Sequence, residues 1–365
     1  METLKRPMSK FLLLDVGAGT LDILYYDDES GLHYKAVVKS PVLTVSERAR
    51  RLKGALLVRG TEMGGGPVSD LLVARAKEFQ VLMTPSAALT LHHDLERVKA
   101  FGITLVDETE AAKLSETGRY GNLTLGDLEI PRLQGLVESF AVPFSFDIVG
   151  ICAQDHGVPP RGVSHLDFRH SLFKLSLDRN PFPQALLYSR EEIPAPLNRL
   201  RSIADSAAKL PAPEIYVMDS GMAAILGGSL DPQAVSKERI IVLDIATSHT
   251  LGAALEKGEI AGFFEYHTRD ITLPRLESLV TELAEGELVH EEILQQGGHG
   301  AYVRKAFGFA RTEIIVATGP KRRLLEKSRL PVQPGAPLGD HMMTGTAGLL
   351  EAIRRRKRLD SIPMW

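Results

Sequence analysis

The sequence predicts an α/β protein of two lobes, each opening on the same strand–turn–strand unit. Length is the first observation: 365 residues, 44% of them apolar, suffice for about two domains with sizeable cores. The second is the alternation of strand-sized apolar runs with helical stretches along most of the chain. The third is a long-period repeat. From Phe11 the chain reads FLLLDVGAGTLDILYY, and from Ile240 it reads IIVLDIATSHTLGAAL. Both are an apolar strand ending near Asp, a turn of small and hydroxyl residues, and a second strand.

The elements follow in order. Lys10–Val16 reads as a buried strand and Gly17–Thr20 as a Gly-rich turn; Leu21–Tyr26 and His33–Val38 complete a meander. Ser46–Lys53 is short and basic, and Gly54–Val58 reads as a strand. Pro67, after three glycines, starts a helix over Val68–Glu78. Short helices and strands alternate from Thr84 to Glu116, Leu128–Ser139 is helical, and Phe146–Cys152 is a strand. Pro159–Pro196 holds Pro, Arg and aromatics without a clean period and reads as a long loop region. Helix Asn198–Lys209, strand Glu214–Met218 and an Ala-rich helix Ser220–Gly227 lead to the second unit. That unit has strands Arg239–Ile245, Leu251–Glu256 and Glu259–Glu265. Helices Leu273–Glu285 and Glu287–Gln295, strand Glu313–Ala317 and helix Gly345–Arg358 finish the chain.

Composition narrows the function classes. A formal net charge of -3 predicts no strong attraction to nucleic acid or an anionic membrane. The basic run Arg354–Arg358 reads as a solvated helix end, where cations suit the dipole. Apolar runs such as Phe11–Leu14 and Ile240–Leu243 are strand-sized, so no membrane span is expected. The basic N-terminus runs into a short strand rather than a signal-peptide core. Cys152 is the single cysteine, which excludes an intrachain disulfide and an all-Cys zinc site and suits a cytoplasmic setting. A radical S-adenosylmethionine enzyme needs three thiolates for its iron–sulfur cluster, which one chain cannot supply. A cluster shared across a homodimer, with Cys152 from each chain, stays open.

The repeated hairpins suit phosphate chemistry. An Asp at a strand end, here Asp15 and Asp244, can orient a hydrated Mg²⁺. The small residues that follow, Gly17, Ala18 and Gly19 in one turn and Ala246 in the other, let backbone approach an anion. Turn N–H groups with the hydroxyls of Thr20, Thr247, Ser248 and Thr250 then form an anion nest, with His249 beside them. One such hairpin alone is most often only a turn; two facing each other could clamp a triphosphate.

With these segments in this order, the chain resembles the actin, sugar-kinase and heat-shock-chaperone ATPase superfamily. Its five motifs resemble Asp15–Asp22, Met218–Gly227, Asp244–Thr250, Ile314–Pro320 and Gly345–Ala352, nearly the whole chain. The resemblance implies a two-lobed actin-like (ribonuclease H-like) ATPase fold with an interlobe nucleotide cleft, ATP and Mg²⁺. It also implies adenosine contacts at Thr318, Gly319 and Pro320. Asp219 matches an acidic residue that positions Mg²⁺ or water in the chaperone ATPases. The chain departs from the pattern at Ala246, Ser248 and His249, and at Pro320 where a second Gly is usual. Further pieces resemble one uncharacterised family often labelled a pyruvate formate-lyase activating enzyme. They are Met63–Pro67, Gln154–Gly157, Gly297–Gly300 and Gly339–Gly345. The cysteine count argues against that label taken literally.

The remaining constellations carry alternatives. Gly64, Gly65 and Gly66 before the Pro67 helix form either an anion site or a tight loop. Asp155 with His156 is either a general base pair or a turn-capping Asp. Arg161, His165, Arg169 and His170 form a substrate pocket or a surface insertion. His299 lies in a ligand-contacting loop or a helix C-cap. A metal held by His249, His267 and His299 is a further reading, with structural histidines commoner. The expected division is 1–235 for the first lobe, with a substrate region inserted at about 40–213 and an interdomain helix at 219–228. Residues 236–344 form the second lobe, and 345–365 a helix returning to the first. The expected function is Mg-ATP phosphoryl transfer, as a small-molecule kinase or a conformational ATPase acting on a partner protein. A nucleotide-binding scaffold or filament protein, or an ATPase activator of a partner enzyme, is the alternative.

Overall fold

The computed structural model describes residues 9–160 and 162–360, so Arg161, the extreme N-terminus and the last five residues lie outside the described residues. The chain opens on the meander β1 (Lys10–Val16), β2 (Thr20–Asp27) and β3 (His33–Lys39). An α/β insertion follows, with α1 (Pro41–Arg51), β4 (Leu56–Gly60), α2 (Pro67–Ala76), β5 (Val81–Met83), α3 (Pro85–Ala88) and α4 (Leu95–Ala100). It continues with β6 (Ile103–Leu105), α5 (Glu108–Glu116), β7 (Gly121–Leu125) and α6 (Ile130–Glu138). The chain then returns through β8 (Ile148–Ala153), α7 (His165–Arg179), β9 (Leu187–Ser189), α8 (Asn198–Ala207), β10 (Glu214–Asp219) and α9 (Ser220–Ser229). The second unit comprises β11 (Arg239–Ile245), β12 (His249–Glu256), β13 (Glu259–His267), α10 (Leu273–Glu285), α11 (His290–Gln295) and β14 (Gly300–Val303). It ends with β15 (Ile314–Thr318), β16 (Val332–Pro334) and α12 (Thr344–Lys357).

Strand order shows the duplication. One sheet runs β3-β2-β1-β8-β10-β9 and the other β14-β13-β12-β11-β15-β16. In both, an antiparallel meander is extended by two parallel strands: β8 and β10 beside β1, β15 and β16 beside β11. This is the two-lobed, actin-like α/β fold with duplicated meander hairpins that the sequence predicts. Burial follows the duplication: β2 and β12 share one pattern, six buried residues between half-buried ends. The insertion is a third, all-parallel sheet, β6-β5-β4-β7, with its own core around Leu56, Val58, Leu72 and Val81.

Between the main sheets, α9 and α12 cross at backbone contact. A Cβ on Gly227 would overlap the Thr344 carbonyl, and one on Gly348 would overlap the Ala223 carbonyl. Glycine at both positions is what lets the helices meet this closely. No helix among the described residues is long and apolar enough to cross a membrane.

One expectation is corrected. The region Pro159–Pro196 is not a long loop: residues His165–Arg179 form a four-turn helix, α7, capped by Ser164 Oγ on the Leu166 and Asp167 N–H groups. Its buried face is Arg169, Phe173 and Leu177, spaced by four. A charged residue at the first of these positions hides the helical period.

Candidate functional site

The two hairpin turns close in the same way. The Gly17 N–H donates to the Thr20 carbonyl at 3.0 Å, and the Ala246 N–H donates to the His249 carbonyl at 3.0 Å. Counting from Asp15 and Asp244 therefore pairs Ala18 with Thr247, Gly19 with Ser248 and Thr20 with His249. The turns face each other closely: a Cβ on Gly19 would lie 2.9 Å from Thr247 Oγ1. Both turns, from Asp15 to Thr20 and at Asp244 and Ala246–His249, line one cavity of about 640 Å³. Thr250 does not. It is fully buried, its hydroxyl 3.0 Å from Thr268 Oγ1, which donates to the Ala246 carbonyl at 2.8 Å. The expected phosphate contact from Thr250 is thus corrected to a brace of the turn. It follows His249 on a strand, so its side chain points to the opposite face.

Carboxyls crowd this end of the cavity. Asp15 and Asp22 are cross-strand partners, and Asp244 approaches from the other lobe. Burial, followed by the charges of Asp22 and Asp244, pushes the Asp15 carboxyl well above its ordinary range. Burial pushes Asp22 to about 7 against a hydrogen bond from Thr20, and Asp244 to about 6 against one from Thr318. A glycine from α12 or after β15 admits each strand-end Asp. A Cβ on Gly345 would overlap Asp15 Oδ2, and one on Gly319 would lie 2.7 Å from Asp244 Oδ1. Thr318 is buried behind the cavity wall, donating to Asp244 Oδ1 at 3.4 Å, while Gly319 and Pro320 line it.

The cavity extends to the insertion. Gly64, Gly65, Gly66 and Pro67 line it, together with His92, His93 and His165. Gly66 sits at φ 58°, ψ −119° before α2, a conformation open to glycine. Arg199 pins this loop. Its guanidinium grips Asp127 through Nε (2.8 Å) and Nη2 (2.9 Å), and donates from Nη1 to the Gln154 carbonyl at 2.7 Å. Asp127 Oδ1 in turn accepts the Gly64 N–H at 3.2 Å. A Cβ on Gly64 would fall 2.9 Å from Arg199 Nη2. Nothing local in the sequence marks Arg199 or Asp127; only the fold brings them together.

Asp155 lines the cavity, but both its oxygens accept backbone N–H groups, of Gly157 at 2.8 Å and of Leu200 at 2.9 Å. That is the capping geometry for the start of α8, not an unengaged general base. His156 lines the cavity as well, and burial, then Arg169, lowers it to about 3, so its ring is neutral.

Asp219 and Arg169 belong to a buried ion network. Asp219 Oδ1 caps α9 through the Met222 N–H at 3.0 Å, and Asp219 Oδ2 accepts Arg169 Nη2 at 2.9 Å. Arg169 Nη1 donates to Glu265 Oε2, and Glu265 Oε1 accepts Gln154 Nε2 at 2.7 Å. Although burial would raise it, Arg169 holds the Glu265 carboxyl well below its usual range. Arg169 on α7 thereby joins β10 of one sheet to β13 of the other. Arg169 lines the cavity while Asp219 does not.

Behind the second turn, His249, His267 and His299 gather. Their ring centroids are 4.3–4.9 Å apart. His249 lines the cavity, and His299 is buried outside it, tied by its backbone N–H to the Glu265 backbone carbonyl at 2.8 Å. Burial lowers His249 to about 4. Cys152 is a buried free thiol beside Asp15, as expected of its strand.

No curated protein matches the sequence significantly. Among solved structures, the chain is similar to the AlfA filament protein of a B. subtilis plasmid, with 9% identity over 93% of this chain and 98% of that one, and a TM-score of 0.37. It is similar to the ROK hexokinase from Thermus thermophilus (14% identity, 96% and 99% coverage, TM-score 0.31). It is also similar to MreB5 of Spiroplasma citri bound to ADP (11%, 96% and 98%, TM-score 0.32). The duplicated strand order, and not these likenesses, defines the fold. The family profile described as "Putative pyruvate format-lyase activating enzyme (DUF1786)" matches residues 63–324, from the glycine loop of the insertion to the segment after Pro320. That match spans well over half of the sequence, and the chain belongs to this family.

Proposed function

We propose that the cleft binds a nucleoside triphosphate, ATP in the first instance, with Mg²⁺, and transfers its terminal phosphoryl group. The single observation that carries this reading is the pair of hairpins with one turn geometry, both lining one cavity, each with an Asp at its strand end. In this reading the N–H groups and hydroxyls of Gly17–Thr20 and Ala246–Ser248 bind phosphate oxygens. Gly319 and Pro320 border the nucleoside. Residues 1–235 and 236–344 are the lobes that close on it, about the crossing of α9 and α12.

The residues fit Mg²⁺. Asp15, Asp22 and Asp244 are oxygen donors crowded in low dielectric, and Asp22 Oδ1 is buried without a hydrogen-bond partner. Bound there, the ion would neutralise phosphate charge. The chain's own residues position the phosphates, exclude water by lobe closure, and hold Asp244 through Thr318.

The same cavity reaches the glycine loop at the start of α2, which favours a second, small-molecule ligand over a protein acceptor. Free N–H groups at that helix start suit an anionic acceptor, with His92, His93 and His165 beside it. Asp155 anchors the Gln154–Gly157 loop. No S-adenosylmethionine radical step is proposed, because the one thiol, Cys152, is buried against Asp15. Calorimetric titration with ATP, with and without Mg²⁺, tests the reading. Magnesium-dependent binding supports it, and no binding at millimolar ATP refutes it.

A further inference from the structure

The second hairpin carries histidines that phosphate binding does not use. His249 opens β12 and His267 closes β13, and the two are direct cross-strand partners. His299 precedes β14 and is hooked to β13 through Glu265. One ring nitrogen from each lies within 4.8 Å of the others, the one such group of three metal-ligating side chains among the described residues. Three nitrogens on a tetrahedral zinc stand about 3.3 Å apart, from Zn–N bonds of about 2.0 Å.

Structural histidines normally place their ring nitrogens on carbonyls or carboxylates. Here His249 Nε2 is buried with no hydrogen-bond partner, and so is His299 Nδ1, whose nearest carboxylate oxygen, Glu265 Oε1, is 3.9 Å away. Three imidazoles with no hydrogen bonds between them are packed around a common point. The surroundings supply an orienting group of the kind that metal-bound imidazoles use. The His267 ring hydrogen-bonds the Ser248 backbone, and Glu265 Oε1 faces the unpartnered His299 Nδ1 itself at 3.9 Å. A hard Mg²⁺ or Ca²⁺ suits oxygen donors, so three nitrogens select a borderline transition ion.

We infer that His249, His267 and His299 form a three-histidine site for a divalent transition ion of the zinc class, in the wall of the cleft beneath the second turn. His249 takes the turn position that Thr20 holds in the first hairpin. The ion is therefore tied to the turn itself, and His249 and Glu265, which both line the cavity, put it within reach of a cleft ligand. Three protein ligands leave a coordination position for that ligand, the pattern of open rather than closed zinc sites. The site stands independently of nucleotide binding.

The test uses full-length, untagged protein, stripped with chelator and titrated with Co²⁺, then Zn²⁺. The expected result is one Co²⁺ per chain with the visible absorption of a four- or five-coordinate nitrogen site, displaced by one equivalent of Zn²⁺. His267→Gln and His299→Gln each weaken binding by about 100-fold or more, while His92→Gln, in the same cavity, leaves it unchanged. Circular dichroism identifies variants that have unfolded, and His267→Gln, at the half-buried edge, retains the fold. Absence of stoichiometric Co²⁺ or Zn²⁺ binding at micromolar concentration overturns the inference. So does binding that survives His267→Gln in folded protein.

Discussion

The first hairpin, β1–β2, and the second, β11–β12, share a backbone and differ in chemistry. Their turns close through the same N–H to carbonyl bond, and their strands bury the same positions. At the side chains they diverge: Thr20 is matched by His249, Gly19 by Ser248, and Asp22 by Leu251 in the strand register. The first hairpin concentrates acid beside the cavity, while the second has one Asp and a histidine cluster. Turn geometry is what an anion nest needs, since N–H groups do the binding. Side chains at the turn edge are then free to differ, and each lobe can bring its own ligand to a common cleft.

The link between the lobes gives the largest effect. Arg169→Met leaves Asp219 and Glu265 buried without their cation, and should destabilise the protein by about 3–5 kcal/mol. Urea unfolding measures it; a loss under about 1 kcal/mol would mean that the network is not formed in solution.

Gly19 and Ser248 occupy equivalent turn positions, and Gly19 faces the second hairpin, where an added Cβ would lie 2.9 Å from Thr247 Oγ1. Gly19→Ala should cost about 1–3 kcal/mol by pushing Thr247 away. Thr247→Ser in the same chain, by removing Cγ2 at 3.1 Å, should return part of it. Equal loss in single and double variants would show that the turns do not touch.

The smallest effect is on pH dependence. In metal-free protein, Asp22 at about 7 and Asp244 at about 6 bind protons more tightly than their unfolded values near 3.8. Through these carboxyls the folded state therefore holds more protons than the unfolded state between those limits. Their contribution to stability is highest at low pH within that window and falls as pH rises through 6 and 7. The lowered histidines, His156 at about 3 and His249 at about 4, act in the opposite sense below their unfolded value of 6.5. Melting in chelator should thus decline above about pH 6.5, and Asp22→Asn should flatten that slope. Its counterpart Leu251 carries no charge, so among carboxyls the second hairpin contributes only through Asp244, with His249 acting in the opposite sense.

Much of this was legible in sequence because it is local. Apolar runs ending near Asp, followed by small turn residues, give both hairpins, and the Ala- and Gly-rich runs give α9 and α12. The correct pairing of Thr20 with His249 was also available, by counting five residues from each Asp. Grouping Thr250 with the turn overlooks strand alternation. What could not be read depends on long-range contact. Arg169 disguises α7 because its cationic side chain is buried against partners 50 and 96 residues away. Arg199, Asp127 and the glycine loop meet only once the insertion folds against α8. The engagement of Asp155 by the Leu200 N–H is likewise invisible in its own segment.

In the proposed function, two unlike hairpins act as one magnesium-dependent phosphate clamp. Calorimetric titration of wild type, Asp15→Ala and Asp244→Ala with ATP in the presence and absence of Mg²⁺ tests it most directly. One magnesium-dependent site is expected in wild type, weakened about 10–100-fold in each variant with the fold intact. Full retention of binding in both variants, or no binding by wild type at millimolar ATP, would contradict it.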